Sequence, residues 1–205
     1  MCSALRDHTL QVGCHLYRFS ISDVVFDLLS AVAKVNFRPV EAQTLPLLFS
    51  SLPDVPPARH AIPERINILN ALSALETLCT QAQLFETLVI RLTAKLDLIC
   101  VPSTSFLTLS SVTEAELHAA YAHWILTTLA KVLQKKVDRE DPDVPKYIEQ
   151  LVPKIFNLFV FSAFAVAEDD DDGGRCERVS VPMDHRLVKK AGEIVSLVIQ
   201  ALPSG

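Results

Sequence analysis

Residues 43–49, QTLPLLF, recur in outline as residues 150–156, QLVPKIF, 107 positions further along the chain. Both copies contain a glutamine, an apolar residue before a proline, an apolar residue two positions after it, and then phenylalanine. An earlier proline, Pro39 or Pro145, precedes each copy. A repeated, proline-marked helix is typical of stacked helix pairs, because no single pair can bury its own apolar face. The repeat therefore predicts an all-α solenoid, which is more often a binding surface than a catalyst.

The composition supports a folded helical chain. Half of the 205 residues are hydrophobic and 21% are charged, which excludes disorder over most of the length. This length accommodates about four helix pairs of ~40–47 residues each. Only five glycines are present, which argues against an all-β fold or a glycine-loop nucleotide-binding fold. The net charge of −5 gives no electrostatic basis for binding nucleic acid directly.

The cysteines are odd in number and scattered, with no C-x-x-C pair: Cys2, Cys14, Cys79, Cys100 and Cys176. Metal sites need ligands at short spacing, and secreted disulfide frameworks use more cysteines in even numbers. We therefore expect reduced thiols, as in a cytosolic or nuclear protein.

No segment of the sequence resembles a targeting or membrane-spanning sequence. In residues 1–13, charged and polar side chains at Arg6, Asp7 and His8 interrupt any apolar core of a signal peptide. The longest apolar stretch, residues 155–167, contains Asn157 and is too short to cross a hydrocarbon core of ~30 Å. The sequence predicts a soluble chain with no membrane partner.

Apolar periodicity predicts helices over residues 21–36, 39–52, 63–80, 81–100, 114–137, 145–167 and 184–202. These form about three and a half pairs within a solenoid unit at 20–205, with residues 1–19 unassigned and an acidic loop at 168–174. The first helix has an apolar stripe that includes Val24, Val25, Leu28, Leu29 and Val32, and Ser22 is its expected cap. The predicted core is Leu72, Leu75, Phe85, Leu88, Leu92, Trp124, Leu129 and Ile155.

The last helix is strongly amphipathic but no further helix follows it in the sequence. It is therefore expected to lack a partner, and neither end of the array is expected to carry a polar capping repeat. Both features predict that the chain is a fragment of a longer array.

Several strings resemble one family of helical-repeat proteins. They are residues 44–54, TLPLLFSSLPD; residues 83–98, QLFETLVIRLTAKLDL; residues 120–123, AYAH; and residues 146–159, KYIEQLVPKIFNLF. Together they resemble the central or C-terminal HEAT-repeat region of the MMS nineteen family of DNA repair and transcription proteins, in a fungal-type version. The resemblance extends over residues 20–202.

The resemblance implies a right-handed superhelix of HEAT-type helix pairs that serves as a scaffold of the cytosolic iron–sulfur assembly (CIA) targeting complex. The expected partners are a WD40-propeller protein, a small CIA targeting subunit and apo-proteins of DNA repair, replication and transcription. Nucleus and cytoplasm are the implied locations. The alternatives are another HEAT-repeat adaptor, a nuclear transport receptor fragment, or the helical accessory domain of an enzyme.

The sequence offers no set of catalytic, cofactor-binding or metal-binding residues. Cys79 and Cys100 are expected at the ends of two antiparallel helices, and an iron–sulfur cluster needs about four converging thiolates. His118 and His123 are five residues apart, whereas a helical zinc pair needs a spacing of four. His123 is expected to be a packed or edge residue. We expect no enzyme and no cofactor.

Partner contacts are predicted on the second helices of the pairs, which commonly line the concave side of a solenoid. The candidate residues are Arg91, Lys95, Asp97, Lys146 and Glu149, and the alternative is that they form only a solvated face. The acidic run 168–172 is either a further contact or a solvated loop, because like charges repel and remain hydrated.

Overall fold

The computed structural model describes residues 21–100, 112–161 and 184–202, and all regular elements in these ranges are helical. The α-helices are α1 Ile21–Val35, α2 Leu45–Ser50, α3 Ile62–Leu78, α4 Ala82–Cys100, α5 Val112–Val137, α6 Tyr147–Gln150, α7 Val152–Ile155 and α8 His185–Gln200. A π turn, Val40–Thr44, precedes α2, a 3-10 turn, Val144–Lys146, precedes α6, and a second π turn, Phe156–Phe161, follows α7. The predicted all-α class is confirmed for these ranges. Residues 1–19 and the acidic loop at 168–174 lie outside them.

The two proline-marked segments are helical, but neither is one continuous α-helix. Proline has no N–H and its ring clashes with the carbonyl four residues earlier, so an α-helix cannot pass through it undistorted. Pro46 lies in the first turn of α2, directly after a π turn. Pro153 lies in the first turn of α7, which begins after Leu151 at a φ of −101°. The prediction of a single helix from residue 145 onward is therefore wrong within the described part, because Pro153 divides it.

The four long helices α1, α3, α5 and α8 pack side by side in a row. α1 packs on α3, α3 packs on α5, and α5 packs on α8. A second set of elements lies against this row, because α2 contacts α3, α4 contacts α5, and the segment from Val144 to Phe161 contacts α8. The expectation that the last helix lacks a partner is wrong, because α8 packs against α5 and against the segment from Val144 to Phe161.

The core forms where the apolar stripes of these helices meet. Of the predicted core residues, Leu72, Leu75, Phe85, Leu88, Leu92, Leu129 and Ile155 are buried, whereas Trp124 is only half-buried. Trp124 lies with its ring 5.2 Å from the guanidinium carbon of Arg65, at the edge of the core. A cation over an aromatic face is favourable without full burial of the ring.

The two ends of the row differ in surface character. On α1, only Leu29 of the predicted stripe packs against the core, while Val24, Val25, Leu28 and Val32 are 42–65% exposed. The prediction that this stripe is buried is therefore largely wrong, because the helix turns its Phe26, Leu29 and Ala33 side toward the core instead. At the opposite end, the exposed positions of α8 are mostly polar: His185, Arg186, Lys189, Glu193, Ser196 and Gln200.

Candidate partner-binding surface

The candidate contact residues lie on three elements. Arg91 and Lys95 lie on α4, Lys146 ends the 3-10 turn before α6, and Glu149 lies on α6. The ring of Phe85 on α4 packs edge-on against the ring of Tyr147 on α6, with 4.8 Å between the ring centroids. This contact holds α4 beside α6, and so it brings the two groups of candidates to neighbouring elements.

Arg91 lies at a pocket between α2 and α4. The pocket has a volume of about 470 Å³ and its apolar lining comes from Leu45, Pro46 and Phe49. Its polar lining includes Glu41, whose carboxylate accepts a 3.0 Å hydrogen bond from the Thr87 hydroxyl. An exposed guanidinium beside apolar side chains is a combination that often anchors a protein partner.

Exposed apolar side chains extend this surface along α4. Ile90 is 58% exposed and Leu98 is 62% exposed, and they are eight residues apart, so they lie on the same side of the helix. Ala94, halfway between them, is also exposed. Leu47, in α2, is 71% exposed. An α4 surface composed of Ile90, Arg91, Ala94 and Leu98 thus combines apolar area with one cation.

Lys95 and Lys146 are already engaged within the chain. Lys95 pairs with Asp54, in the segment after α2, and its side chain is only 16% exposed. Lys146 pairs with Glu86 of α4 at 2.7 Å, and its ammonium lies 5.1 Å from the centroid of the Tyr147 ring. Ion pairs at the protein surface contribute about 0–1 kcal/mol. They fix the position of the surface more than they strengthen the fold.

The described cysteines, and the histidines His118 and His123, are packed or partnered. Cys79 and Cys100 are buried free thiols, and burial raises the pKa of both, to about 12 for Cys100, where Asp97 adds to the effect. His118 shares a 3.1 Å hydrogen bond with the carbonyl oxygen of Ile99. His123 is half-buried, and burial, with the charges of Lys190 and Arg186, lowers its pKa. This placement agrees with the predicted packed or edge position.

The described ranges hold no group of three or more histidine, cysteine or acidic side chains able to bind a metal ion. Cys2, Cys14 and Cys176, and the side chain of Ser22, lie outside the residues whose side chains the structure describes. Among the described helices, none is both long and apolar enough to cross a membrane.

One buried polar centre was not predicted from the sequence. Lys136, at the end of α5, is 1% exposed and contacts the carboxylates of Asp141 at 2.8 Å and Asp143 at 2.9 Å. Its ammonium also lies 3.4 Å from the carbonyl oxygen of Thr80 and 5.6 Å from the centroid of the Phe85 ring. The sequence feature that could have predicted this centre is the acidic turn after Lys135 and Lys136, because carboxylates there can pair with a lysine at the end of a helix.

The arrangement defines a class of protein: over its described residues it is an all-helical chain whose long helices stack in a row. A family model described as RNAPII transcription regulator C-terminal matches residues 71–205, about two-thirds of the chain. The chain therefore belongs to the MMS nineteen family, and the match identifies its C-terminal region.

The match includes three of the four strings that carried the resemblance, those at 83–98, 120–123 and 146–159, and excludes the string at 44–54. It begins within α3, so α1 and α2 precede it. Neither the curated proteins nor the solved structures contain a match to this chain.

Proposed function

We propose that the chain is a segment of a HEAT-type solenoid, a right-handed superhelix of about three and a half helix pairs, that holds protein partners and performs no catalysis. The row formed by α1, α3, α5 and α8 supports this proposal, with shorter elements packed along it. In stacked helix pairs, each unit contacts its neighbours and the array buries one continuous core. Extended surfaces of this kind suit the binding of several proteins at once.

The family membership supports a more specific role. The proposed function is that of a scaffold in the CIA targeting complex, which delivers iron–sulfur clusters to apo-proteins of DNA repair, replication and transcription. The partners are a WD40-propeller protein, a small CIA targeting subunit and the apo-protein clients, and the locations are nucleus and cytoplasm. The observation that carries this proposal is the family match over residues 71–205.

The proposed contact surface includes Arg91, Lys95, Lys146 and Glu149, with Arg91 at its centre. Arg91 and Glu149 are exposed, whereas Lys95 and Lys146 would have to exchange their partners Asp54 and Glu86 for a ligand. Ile90 and Leu98 supply the apolar area that a stable contact needs. Hot spots of protein interfaces are enriched in arginine and lie near the centre of well-packed contacts.

The test compares two surface variants in cells that depend on the full-length protein. Ile90→Glu with Arg91→Glu changes the α4 surface, and Arg139→Glu changes another exposed arginine, in the turn after α5. We expect the α4 variant, but not the control, to lose the WD40-propeller protein in affinity purification. It should also lower the incorporation of radioactive iron into an immunoprecipitated repair helicase.

Unchanged iron incorporation with a stably expressed α4 variant would reject this surface. Loss of residues 20–202 without any effect on iron incorporation would reject the scaffold role as a whole. Recovery of a small GTPase with the purified protein, in place of CIA subunits, would instead identify a nuclear transport receptor.

A further inference from the structure

A cleft of about 920 Å³ opens between α1, the end of α2 and α3. Its apolar lining includes Phe26 of α1, Leu48 of α2 and the buried Ile68 of α3. Most of the remaining lining residues are polar, and most of these polar residues lie on successive turns of α3. A cleft of this size is comparable to the larger ligand sites of proteins, which reach about 1,000 Å³.

Two side-chain amides in the cleft have no hydrogen-bond partner among the described residues. Asn67 and Asn70 are exposed on α3, one turn apart, and neither makes a hydrogen bond to another described residue. Two hydroxyl groups of the cleft differ in this respect. Ser50 donates to the carbonyl oxygen of Leu47 at 2.7 Å, and Thr77 donates to that of Ser73 at 3.2 Å.

An asparagine amide provides both a donor and an acceptor. A peptide group in an extended chain offers the complementary acceptor and donor, since it has no partner within its own strand. Asn67 and Asn70 lie about 4.5 Å apart along the helix axis, so both can reach the backbone of one extended segment. Their positions therefore favour a polypeptide backbone as the ligand.

The charges of the cleft are all of one sign. Asp27 of α1 and Glu64 of α3 contribute exposed carboxylates, and no lysine or arginine of the described ranges lines the cleft. Neither carboxylate forms an ion pair with another described residue. Arg65, next to Glu64 in sequence, lies over the Trp124 ring of α5 instead. A concave surface with charges of one sign attracts a ligand of the opposite sign.

We propose that this cleft binds an extended segment of a partner protein that carries lysine or arginine. Asn67 and Asn70 hold its backbone, Asp27 and Glu64 pair with its cationic side chains, and Phe26 and Leu48 receive the aliphatic parts of those side chains. This site is separate from the α4 surface and gives the chain a second contact of different chemistry. It does not depend on a role in cluster delivery.

The experiment is fluorescence anisotropy of the full chain with a fluorescein-labelled hexapeptide of alternating arginine and alanine. The paired substitutions Asp27→Asn and Glu64→Gln should weaken binding by about tenfold, because two partly exposed ion pairs with the peptide are lost. Asn67→Ala with Asn70→Ala should weaken it by about fivefold without a change of charge, through the loss of two hydrogen bonds.

The matched control is Asp138→Asn with Glu140→Gln, which removes two exposed carboxylates in the turn after α5. It should leave binding within about twofold of the parent, and circular dichroism should be the same for all variants. The proposal is overturned if the control weakens binding as much as the cleft variant, because the attraction would then be general. It is also overturned if the asparagine variant binds like the parent or if the parent shows no saturable binding.

Discussion

Lys136 and Asp141 form an ion pair of 2.8 Å across the turn that ends α5, with the lysine side chain only 1% exposed. Asp143 lies 2.9 Å from the same ammonium, and the Tyr147 hydroxyl donates toward the Asp143 carboxylate at 3.5 Å. The carbonyl oxygen of Thr80, before α4, completes the surroundings of the ammonium. One buried cation thus connects α5, the following turn and the start of α4.

Replacement of Lys136 by methionine should destabilise the chain by about 3 kcal/mol, because removal of one partner of a buried ion pair leaves the other charges uncompensated. The measurement is urea denaturation followed by circular dichroism. The control is Lys131→Met. The Lys131 ammonium also forms an ion pair, with Glu76, but the Lys131 side chain is 59% exposed. It should cost no more than about 1 kcal/mol. Equal effects of the two substitutions would contradict a special role for Lys136.

Glu140→Gly should stabilise the chain. Glu140 has a φ of 55°, in the left-handed region that favours glycine. It follows the end of α5, where the N–H of Asp141 donates to the carbonyl of Lys136 and the N–H of Glu140 donates to that of Val137. This is a Schellman turn, and glycine is the usual residue at this position. Relief of about 1–2 kcal/mol of strain exceeds the added entropy of the unfolded glycine, about 0.4–1 kcal/mol.

The control for this prediction is Glu140→Ala, which removes the same carboxylate but keeps a Cβ atom. We expect a higher melting temperature for the glycine variant than for the alanine variant. A glycine variant that melts at or below the temperature of the alanine variant would contradict the left-handed assignment.

Helix positions and most of the core were predictable from apolar periodicity. The stripe Phe85, Leu88, Leu92 and Leu96 is fully buried because α4 has neighbours on its apolar side, which is what the periodicity implies. Periodicity could not determine which side of α1 faces the core. Apolar residues occur around most of that helix, and the choice depends on how it meets α3.

The polar contacts were not predictable to the same degree. The pairing of Lys136 with Asp141 and Asp143 depends on a turn whose direction is set by the backbone of Glu140. The cleft beside Asn67 and Asn70 depends on the separation of α1 from α3. Both are consequences of tertiary packing, and a helical repeat pattern contains no information about such separations. Arg91 was proposed from its helix alone, and its pocket required the structure.

Leu88→Ala should cost about 2–5 kcal/mol, since it leaves a cavity in a core that cannot fully close around it. Leu88 is 0% exposed on α4. Ile90, two residues later on the same helix, is 58% exposed, and Ile90→Ala should change the free energy of unfolding by less than about 1 kcal/mol. Urea denaturation of the two variants measures the difference. If Leu88→Ala left the free energy of unfolding unchanged, the assignment of this stripe to the core would be contradicted.

Cys79 and Cys100 should resist alkylation in the folded chain, because their thiols are buried and burial raises the pKa of each. The thiolate is the reactive form, so iodoacetamide at pH 8 should modify neither residue until urea unfolds the chain. Mass spectrometry of peptides after native and denatured labelling measures the difference at each site. Burial of the two thiols should also lower the stability of the fold at high pH. The unfolded thiols ionise near their ordinary pKa of 9.0, whereas that of Cys100 is about 12 in the fold, so stability should fall as the pH rises between these values. Rapid native labelling at pH 8 would show that the ends of α3 and α4 open readily and would contradict this placement of the cysteines.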